Sequence, residues 1–301
     1  MKLEERMHQV KSEVDEALVR FFAKKRQEAK RIHPSTVALV DQIADLTLRA
    51  GKRVRPFLCW VGYEAVQVID SGNLFFDSRN QRLIHVMVGL ELFQTFALIH
   101  DDIMDESAER RGGKSIHASV GKSMAILAGD LALVWADEEM SVVFDSGLTR
   151  NLVMVYRQMK EEVMYGQALD VMREAGASDV AQERVDELKT AWYSVVRPLQ
   201  IGSCLAISGS PSRSQSPPGR WPKDSFQVKC FEVWERYGVP VGKLFQLRDD
   251  FLDGAIDEKT FKKKAEVLRN IADQAVSDAV ITDHTRALLL DIVQFVCTRK
   301  S

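Results

Sequence analysis

From Leu3 to Thr298 the apolar residues of this chain return at spacings of three and four, and almost nowhere at two. That period lines them up on one face of a helix. Met7, Val10, Val14, Leu18 and Phe21/Phe22 mark such a face over residues 3–30. Residues 36–50, 55–69, 82–105, 119–144, 149–173, 180–208, 226–252 and 258–298 read the same way. Glycine and proline are sparse and cluster between these segments, where they act as stops. The exception is Ser208 to Lys223, SGSPSRSQSPPGRWPK, which has almost nothing to bury. It reads as a flexible surface loop between two helices. No repeat of fixed period is present. The expected fold is all-α, a single domain spanning residues 1–301 and built as one large helical bundle.

Composition narrows the function. Of 301 residues, 46% are hydrophobic, enough for a large core. The net charge of −2 gives no overall field that would draw nucleic acid, so any polyanion site must be local. Cys59, Cys204, Cys230 and Cys297 lack metal-ligand spacing and read as free thiols in a reducing compartment. The first residues, MKLEERMHQVKSEVDEALVRFF, are charged and amphipathic, with no signal-peptide core. No apolar run reaches the ~18 residues of a bilayer span. A cytoplasmic location is expected.

The stretch LIHDDIMDESAERRGG, Leu98 to Gly113, concentrates Asp101, Asp102 and Asp105 just after an apolar run and just before Arg110 and Arg111. On a helix Asp101 and Asp105 share a face, where like charges cost roughly 0.2–0.5 kcal/mol per pair. A solvated helix end tolerates this, so one cluster alone is ambiguous. The spacing recurs, however. FQLRDDFLDG carries Asp249, Asp250 and Asp253, again DDxxD after an apolar stretch. Two such faces turned toward each other would repel unless cations lay between them. Oxygen-only ligands suit Mg²⁺, which takes a few carboxylates together with phosphate and water. The arginines would then carry the remaining phosphate charge. AGKRVRPF adds a second basic cluster, Lys52, Arg53 and Arg55, which suggests two anionic groups to be bound. The GKS triplets at Gly113–Ser115 and Gly121–Ser123 lack the upstream glycine of a P-loop.

With these residues in view, the chain resembles the trans-polyprenyl diphosphate synthases, closest in pattern to the geranylgeranyl diphosphate synthases. The match runs in family order from about Gly51 to Asp253 through GKRVRP, ELFQTFALIHDDIMDESAERRG, LAGDLA, GQALD, LKTAWY and FQLRDDFLD. The two DDxxD motifs with RRG after the first are specific in combination. The resemblance implies a helical bundle around a deep central cavity and a homodimer. It also implies head-to-tail condensation of isopentenyl diphosphate with an allylic diphosphate. Asp101, Asp102, Asp105, Asp249, Asp250 and Asp253 would hold Mg²⁺, three ions with diphosphate bound. Arg110 and Lys189 would contact the allylic diphosphate. Lys52, Arg55, Arg111 and Gln94 would bind isopentenyl diphosphate, and Gln246 would also contact substrate. Lys189, Thr190, Gln167 and Asp170 would line the reaction centre. Asp170 and Thr190 also fit as ordinary polar helix positions, and Gln94 as a core hydrogen-bonding group.

Chain length would be set one helical turn before Asp101, at Phe96 and Ala97. One aromatic there, with no insertion in the motif, resembles the archaeal-type arrangement for a four-isoprene product. Phe96 as plain core packing is equally compatible. The chain departs from the family after Asp253. Members usually continue with a glycine-lysine stretch and then an Asp…Lys…Thr stretch that help close the site. Here FLDGAIDEKTFKKKAEVL passes straight to a late helix, several dozen residues short. Lys262–Lys264 could substitute, or form a solvated charge run. A non-catalytic or regulatory subunit of the same fold and a class I terpene cyclase are the alternatives. The cyclase would not need GKRVRP.

Overall fold

The computed structural model describes residues 2–49, 51–71, 81–144, 150–208, 226–279 and 281–299. These form two compact units. The first comprises Met1–Phe57 and Phe76–Ser146, the second Leu58–Phe75 and Gly147–Ser301.

In the first unit, α1 (Leu3–Ile32), α2 (Val37–Leu48), α4 (Gln81–Met104), α5 (Ile116–Val120) and α6 (Lys122–Phe144) pack together. Between α2 and α4 in sequence comes α3 (Val54–Ser71), whose first turn belongs here and whose remainder belongs to the second unit. The periodic face of α1 is buried as its spacing requires. Val10, Val14, Leu18 and Phe22 are nearly inaccessible, and Phe21 and Phe22 meet Trp135 of α6 edge to face. Each such aromatic pair adds about 0.5–1.5 kcal/mol to area burial. Helix α4 is apolar all round and sits at the centre, flanked by α6, α1 and α2. By length and hydropathy it would pass for a membrane span, against the expectation that no stretch is apolar enough. Yet 67% of its apolar window is buried inside the protein, and it carries the buried acids Glu91 and Asp102. It is a core helix.

The second unit holds α7 (Arg150–Glu174), α8 (Gln182–Asp186), a π-helix (Glu187–Val196), α9 (Arg197–Ser208), α10 (Phe226–Leu252), α11 (Glu258–Ser277) and α12 (Asp283–Thr298). Here α10 is the central element, packed by α11, α12, α9 and the π-helix. Where α3 crosses α9 the backbones nearly touch. A Cβ on Gly62 would lie 2.1 Å from the Leu199 carbonyl oxygen, and one on Gly202 would lie 1.9 Å from that of Cys59. Only glycine fits at either position. Ser203 then donates to the Gly62 carbonyl at 2.9 Å, and Trp234 donates to Ser203 at 2.8 Å.

Helix placement follows the periodicity closely, with three differences. The stretch 258–298 is two helices, because Thr282 caps α12 by accepting from the Thr285 amide. The stretch 180–208 contains the π-helix. Residues Glu109–Arg110 (β1) and Gly113–Lys114 (β2) form a small antiparallel hairpin. All four cysteines are free thiols. The Ser/Pro/Gly-rich loop falls, beyond Ser208, outside the described residues.

Candidate active site

In the first unit α4 delivers the first aspartate motif. Asp101 and Asp102 lie on its last turn, and Asp105 follows it, its amide still bonded to the Asp101 carbonyl at 2.9 Å. The three carboxylates are not equivalent. Asp105 is exposed and Asp101 half-buried, whereas Asp102 is 1% exposed. Arg110 grips Asp102 through one oxygen, with Nε and Nη2 at 2.6 and 2.5 Å from Oδ1, and reaches Asp101 at 3.9 Å. The other oxygen, Asp102 Oδ2, is buried without a hydrogen-bond partner among the described residues. Burial pushes the Asp102 carboxyl above the ordinary carboxylate range, against the pull of Arg110.

The hairpin puts Arg110 there. Arg111 and Gly112 take φ of 52° and 73°, the left-handed pair that a tight two-residue turn demands. This doubles RRGG back along α4's end and sends the two arginines to different partners. Arg111 donates toward the Leu46 carbonyl at 3.4 Å. Burial pulls its guanidinium below the ordinary arginine value. Glu91 opposes that shift, and Arg53, Arg55 and Arg110 add to it. Four guanidiniums thus share one neighbourhood with a single buried glutamate, a field suited to an anion.

The middle residue of GKRVRP has a structural job. Arg53, 2% exposed and at φ 53°, donates to Asp15 of α1 at 2.7 Å, to Glu91 of α4 at 2.6 Å and to the Thr47 carbonyl at 2.8 Å. Both carboxylates come from distant sequence. By fixing Arg53 inward they leave Lys52 exposed on the same loop and Arg55 half-buried in the first turn of α3. Gln94 is half-buried on α4. Phe96 is 8% exposed, with its ring against Phe93 at 5.3 Å and His100 at 4.8 Å; Ala97 beside it is half-buried. Phe96 therefore does serve as packing.

In the second unit α10 delivers Asp249 and Asp250 on its last turn, with Asp253 exposed just after it. Arg299, just past α12, donates to Asp249 Oδ1 at 2.5 Å. Gln246 donates to Asp250 at 3.0 Å and accepts from Thr190 at 3.4 Å. The residue expected to touch substrate thus also braces a carboxylate. Lys189 donates to Asp170 at 2.7 Å, and Arg173 reaches the same carboxylate at 3.3 Å. Gly166 of GQALD explains the fit. A Cβ there would lie 3.0 Å from Lys189 Cγ, so its absence lets the lysine stem pass across α7. Gln167 is half-buried next to it.

The π-helix that carries Lys189 and Thr190 is held at both ends. Lys243 bridges Glu183 and Glu187 at 2.7 and 2.9 Å, and buried Arg197 forks onto Glu162 at 2.8 and 2.5 Å. Such wide turns recur at functional sites. Asp186 also belongs to this cluster. Burial pushes its carboxyl up, its bond to Gln182 opposes, and nearby Asp250 and Asp170 raise it further. Its position three and four residues before Lys189 and Thr190 was the available signal.

Sequence comparison decides the family. The polyprenyl synthetase profile matches residues 37–283, most of the chain. The chain belongs to the polyprenyl synthetase family. It is 29% identical over 238 residues to the short chain isoprenyl diphosphate synthase of Methanothermobacter thermautotrophicus, covering 79% of this chain and 64% of that protein. It is 28% identical to the geranylfarnesyl diphosphate synthase of Natronomonas pharaonis, covering 88% and 72%. The chain thus spans under two thirds of the first of these relatives. In fold it is similar to a geranylgeranyl pyrophosphate synthase from Corynebacterium glutamicum crystallised with isoprenyl diphosphate and magnesium. That TM-score is 0.77 at 24% identity, over 99% of this chain and 100% of that one.

The departure from the family pattern after Asp253 is a closed junction in this chain. Gly254 at φ 76° ends α10, with the Ala255 amide bonded to the Asp250 carbonyl at 2.8 Å. Asp257 starts α11 by accepting from Thr260 at 2.7 Å. Phe251 and Phe261 stack at 4.9 Å across the turn, with Arg248 over both rings at 5.2 Å. Lys262, Lys263 and Lys264 are exposed, as a solvated charge run would be.

The donor set of both motifs is all oxygen, as a hard divalent cation requires. Among the described residues no three acidic, histidine or cysteine side chains converge on one point. A cation here would complete its shell with phosphate and water oxygens, which is Mg²⁺ behaviour.

Proposed function

We propose that this chain is a Mg²⁺-dependent prenyltransferase that condenses isopentenyl diphosphate with an allylic diphosphate, giving geranylgeranyl diphosphate. The observation that carries the reading is the pairing, within one unit, of an aspartate motif with a field of arginines. Asp101 and Asp105 are offered to a cation, and Arg110 and Arg111 to phosphate.

Mg²⁺ held at an aspartate motif would supply the charge that lets diphosphate leave. Arg110, oriented by Asp102, meets the oxygens of the allylic diphosphate. In the second unit Lys189, steadied on Asp170, is a further cation suited to diphosphate. Lys52, Arg55 and Arg111, with Gln94, hold isopentenyl diphosphate so that its double bond reaches the allylic carbon as the C–O bond breaks; the diphosphate released then accepts the proton lost as the new double bond forms. Gln167 and Thr190 line the reacting centre, and Gln246 orients Asp250. Because charge develops on the departing diphosphate, these fixed cations stabilise the transition state more than the ground state.

The four-isoprene length rests on Phe96 beside small Ala97. A homodimer fits the apolar side chains that α6 exposes, Ile126, Leu127 and Val134 among them. A second reading, a non-catalytic subunit of the same fold, is favoured by the short junction after Asp253.

The test is to incubate the protein with Mg²⁺, isopentenyl diphosphate and farnesyl diphosphate and to chromatograph the dephosphorylated products. Geranylgeraniol is expected, with Asp101→Ala reducing the rate by on the order of 10²-fold or more. Phe96→Ala should shift products to longer alcohols. Longer alcohols from the unaltered chain would sink the Phe96 argument and keep the reaction. No product at all would favour the non-catalytic subunit.

A further inference from the structure

Arg299 is built into α10 more firmly than an ordinary helix end. Its amide bonds to the Phe295 carbonyl at 2.9 Å. Its own carbonyl accepts from Arg248 Nε and Nη2 at 2.9 and 2.6 Å. Its guanidinium lies over the Phe245 ring at 3.8 Å and donates to the Phe245 carbonyl at 3.2 Å. The side chain is 5% exposed, and its Nε is buried with no hydrogen-bond partner among the described residues. Leaving a buried donor unsatisfied is a costly way to finish a helix.

What this guanidinium holds is not buried. The Asp249 side chain is 41% exposed, so the pair gains little stability from its attraction through water. A buried cation, fixed by its own partners, constrains the more exposed carboxylate that it bonds. Arg299 takes Oδ1, and no described residue engages the other oxygen. The short junction after Asp253 keeps α11 close behind α10, with Arg248 clamped between Arg299 and the Phe251–Phe261 stack. The anchor of Arg299 is thus itself anchored.

We propose that Arg299 is a positioning residue for the second aspartate motif, gripping Asp249 by Oδ1 so that Oδ2 is presented to a divalent cation. The proposal rests on the metal-binding reading above and adds the residue that prepares one ligand. Partners of this kind orient a ligand before the ion arrives, and their loss costs tenfold or more in metal affinity.

The experiment is Mn²⁺ binding to the full chain, followed by the electron paramagnetic resonance of free Mn²⁺. It compares the unaltered protein, Asp249→Asn, Arg299→Ala, Arg299→Lys and the Asp249→Asn/Arg299→Ala double variant. The binding lost in Asp249→Asn defines the signal of the second motif. Arg299→Ala should weaken that signal about tenfold. Arg299→Lys, which keeps the charge without the planar fork, should fall between. In the double variant the Arg299 change should add nothing, because the arginine acts through Asp249. Unchanged or tighter binding in Arg299→Ala would overturn the proposal, making the arginine a fold tether or a competitor for the metal. Further weakening in the double variant would also overturn it. No Asp249-dependent Mn²⁺ signal in the unaltered protein would bring down the metal reading itself, and this inference with it. Thermal melts establish that each variant is folded; should Arg299→Ala not fold, Arg299→Gln takes its place with the same expected direction.

Discussion

At the first aspartate motif the paired carboxylate, Asp102, is 1% exposed and its arginine, Arg110, is 28% exposed; at the second motif Asp249 is 41% exposed and Arg299 5%. The same DDxxD spelling is thus built with opposite polarity. In the first unit the acid is the anchor and the arginine is the group presented to the outside. In the second unit the arginine is the anchor and the acid is presented. An anchored carboxylate that holds out a guanidinium prepares an anion site. An anchored guanidinium that holds out a carboxylate prepares a cation site. Which group the pair presents depends on which partner the core buries, and the motif does not encode that; at the first motif Asp101 still lies beside the presented guanidinium, and Asp105 stays exposed.

The contrast can be broken most directly by removing each arginine. Arg110→Ala strands a buried carboxylate whose other oxygen has no partner among the described residues, and should cost about 3 kcal/mol of unfolding free energy. Arg299→Ala returns Asp249 to water and should cost about 1 kcal/mol, mostly lost packing on Phe245. Urea unfolding midpoints measure both, and equal losses would erase the distinction. Asp102→Asn keeps the shape and an acceptor for Arg110, so it should stay folded while the proposed prenyl transfer slows by roughly tenfold, since the charge that steadies Arg110 is gone.

The smallest effect comes from pH. His85 of α4 bonds Glu139 of α6 at 2.7 Å, and that bond raises the imidazole above its ordinary value of 6.5 against the opposing effect of burial. A histidine raised on folding contributes stability that is full below its unfolded value and is lost as pH rises through the folded one. The imidazole is partly exposed, so the contribution is at most about 1 kcal/mol. Hydrogen exchange corrected for intrinsic rates should therefore show α4 and α6 loosening between pH 6 and pH 8 while α10 and α11 hold steady. His85→Gln should abolish the difference. Loosening of both units together would mean that the pair does not act locally.

How much of this could be read from the chain follows from distance along it. The aspartate motifs were legible because their logic is local, and Arg110 because it lies eight residues from Asp102. Arg299 is fifty residues from Asp249 and looks like one more basic residue near a helix end. Arg53 looked like a third member of a basic cluster. Its burial depends on Asp15 and Glu91, each thirty-eight residues away, and on a left-handed backbone at a non-glycine residue, which no propensity announces. The hairpin at Glu109–Lys114 was signalled by Gly112, but two-residue strands are too short to show alternation. The helices came through because burial repeats every turn; the break at Thr282 shows only as a capping hydroxyl inside an otherwise continuous pattern.

The π-helix of Glu187–Val196 carries a consequence for how this site can vary. Each wide turn holds one residue more than an α-turn would. Deleting a single residue there lets the helix relax to the commoner form instead of breaking it, and turns Lys189 and Thr190 by roughly 100° against the residues that follow. Lys189 then swings off Asp170, and Thr190 off Gln246. The site is tuned by the number of residues in this stretch as well as by their identity. Insertion and deletion are therefore moves by which such a chain can gain or lose these side-chain pairings while its core stays intact.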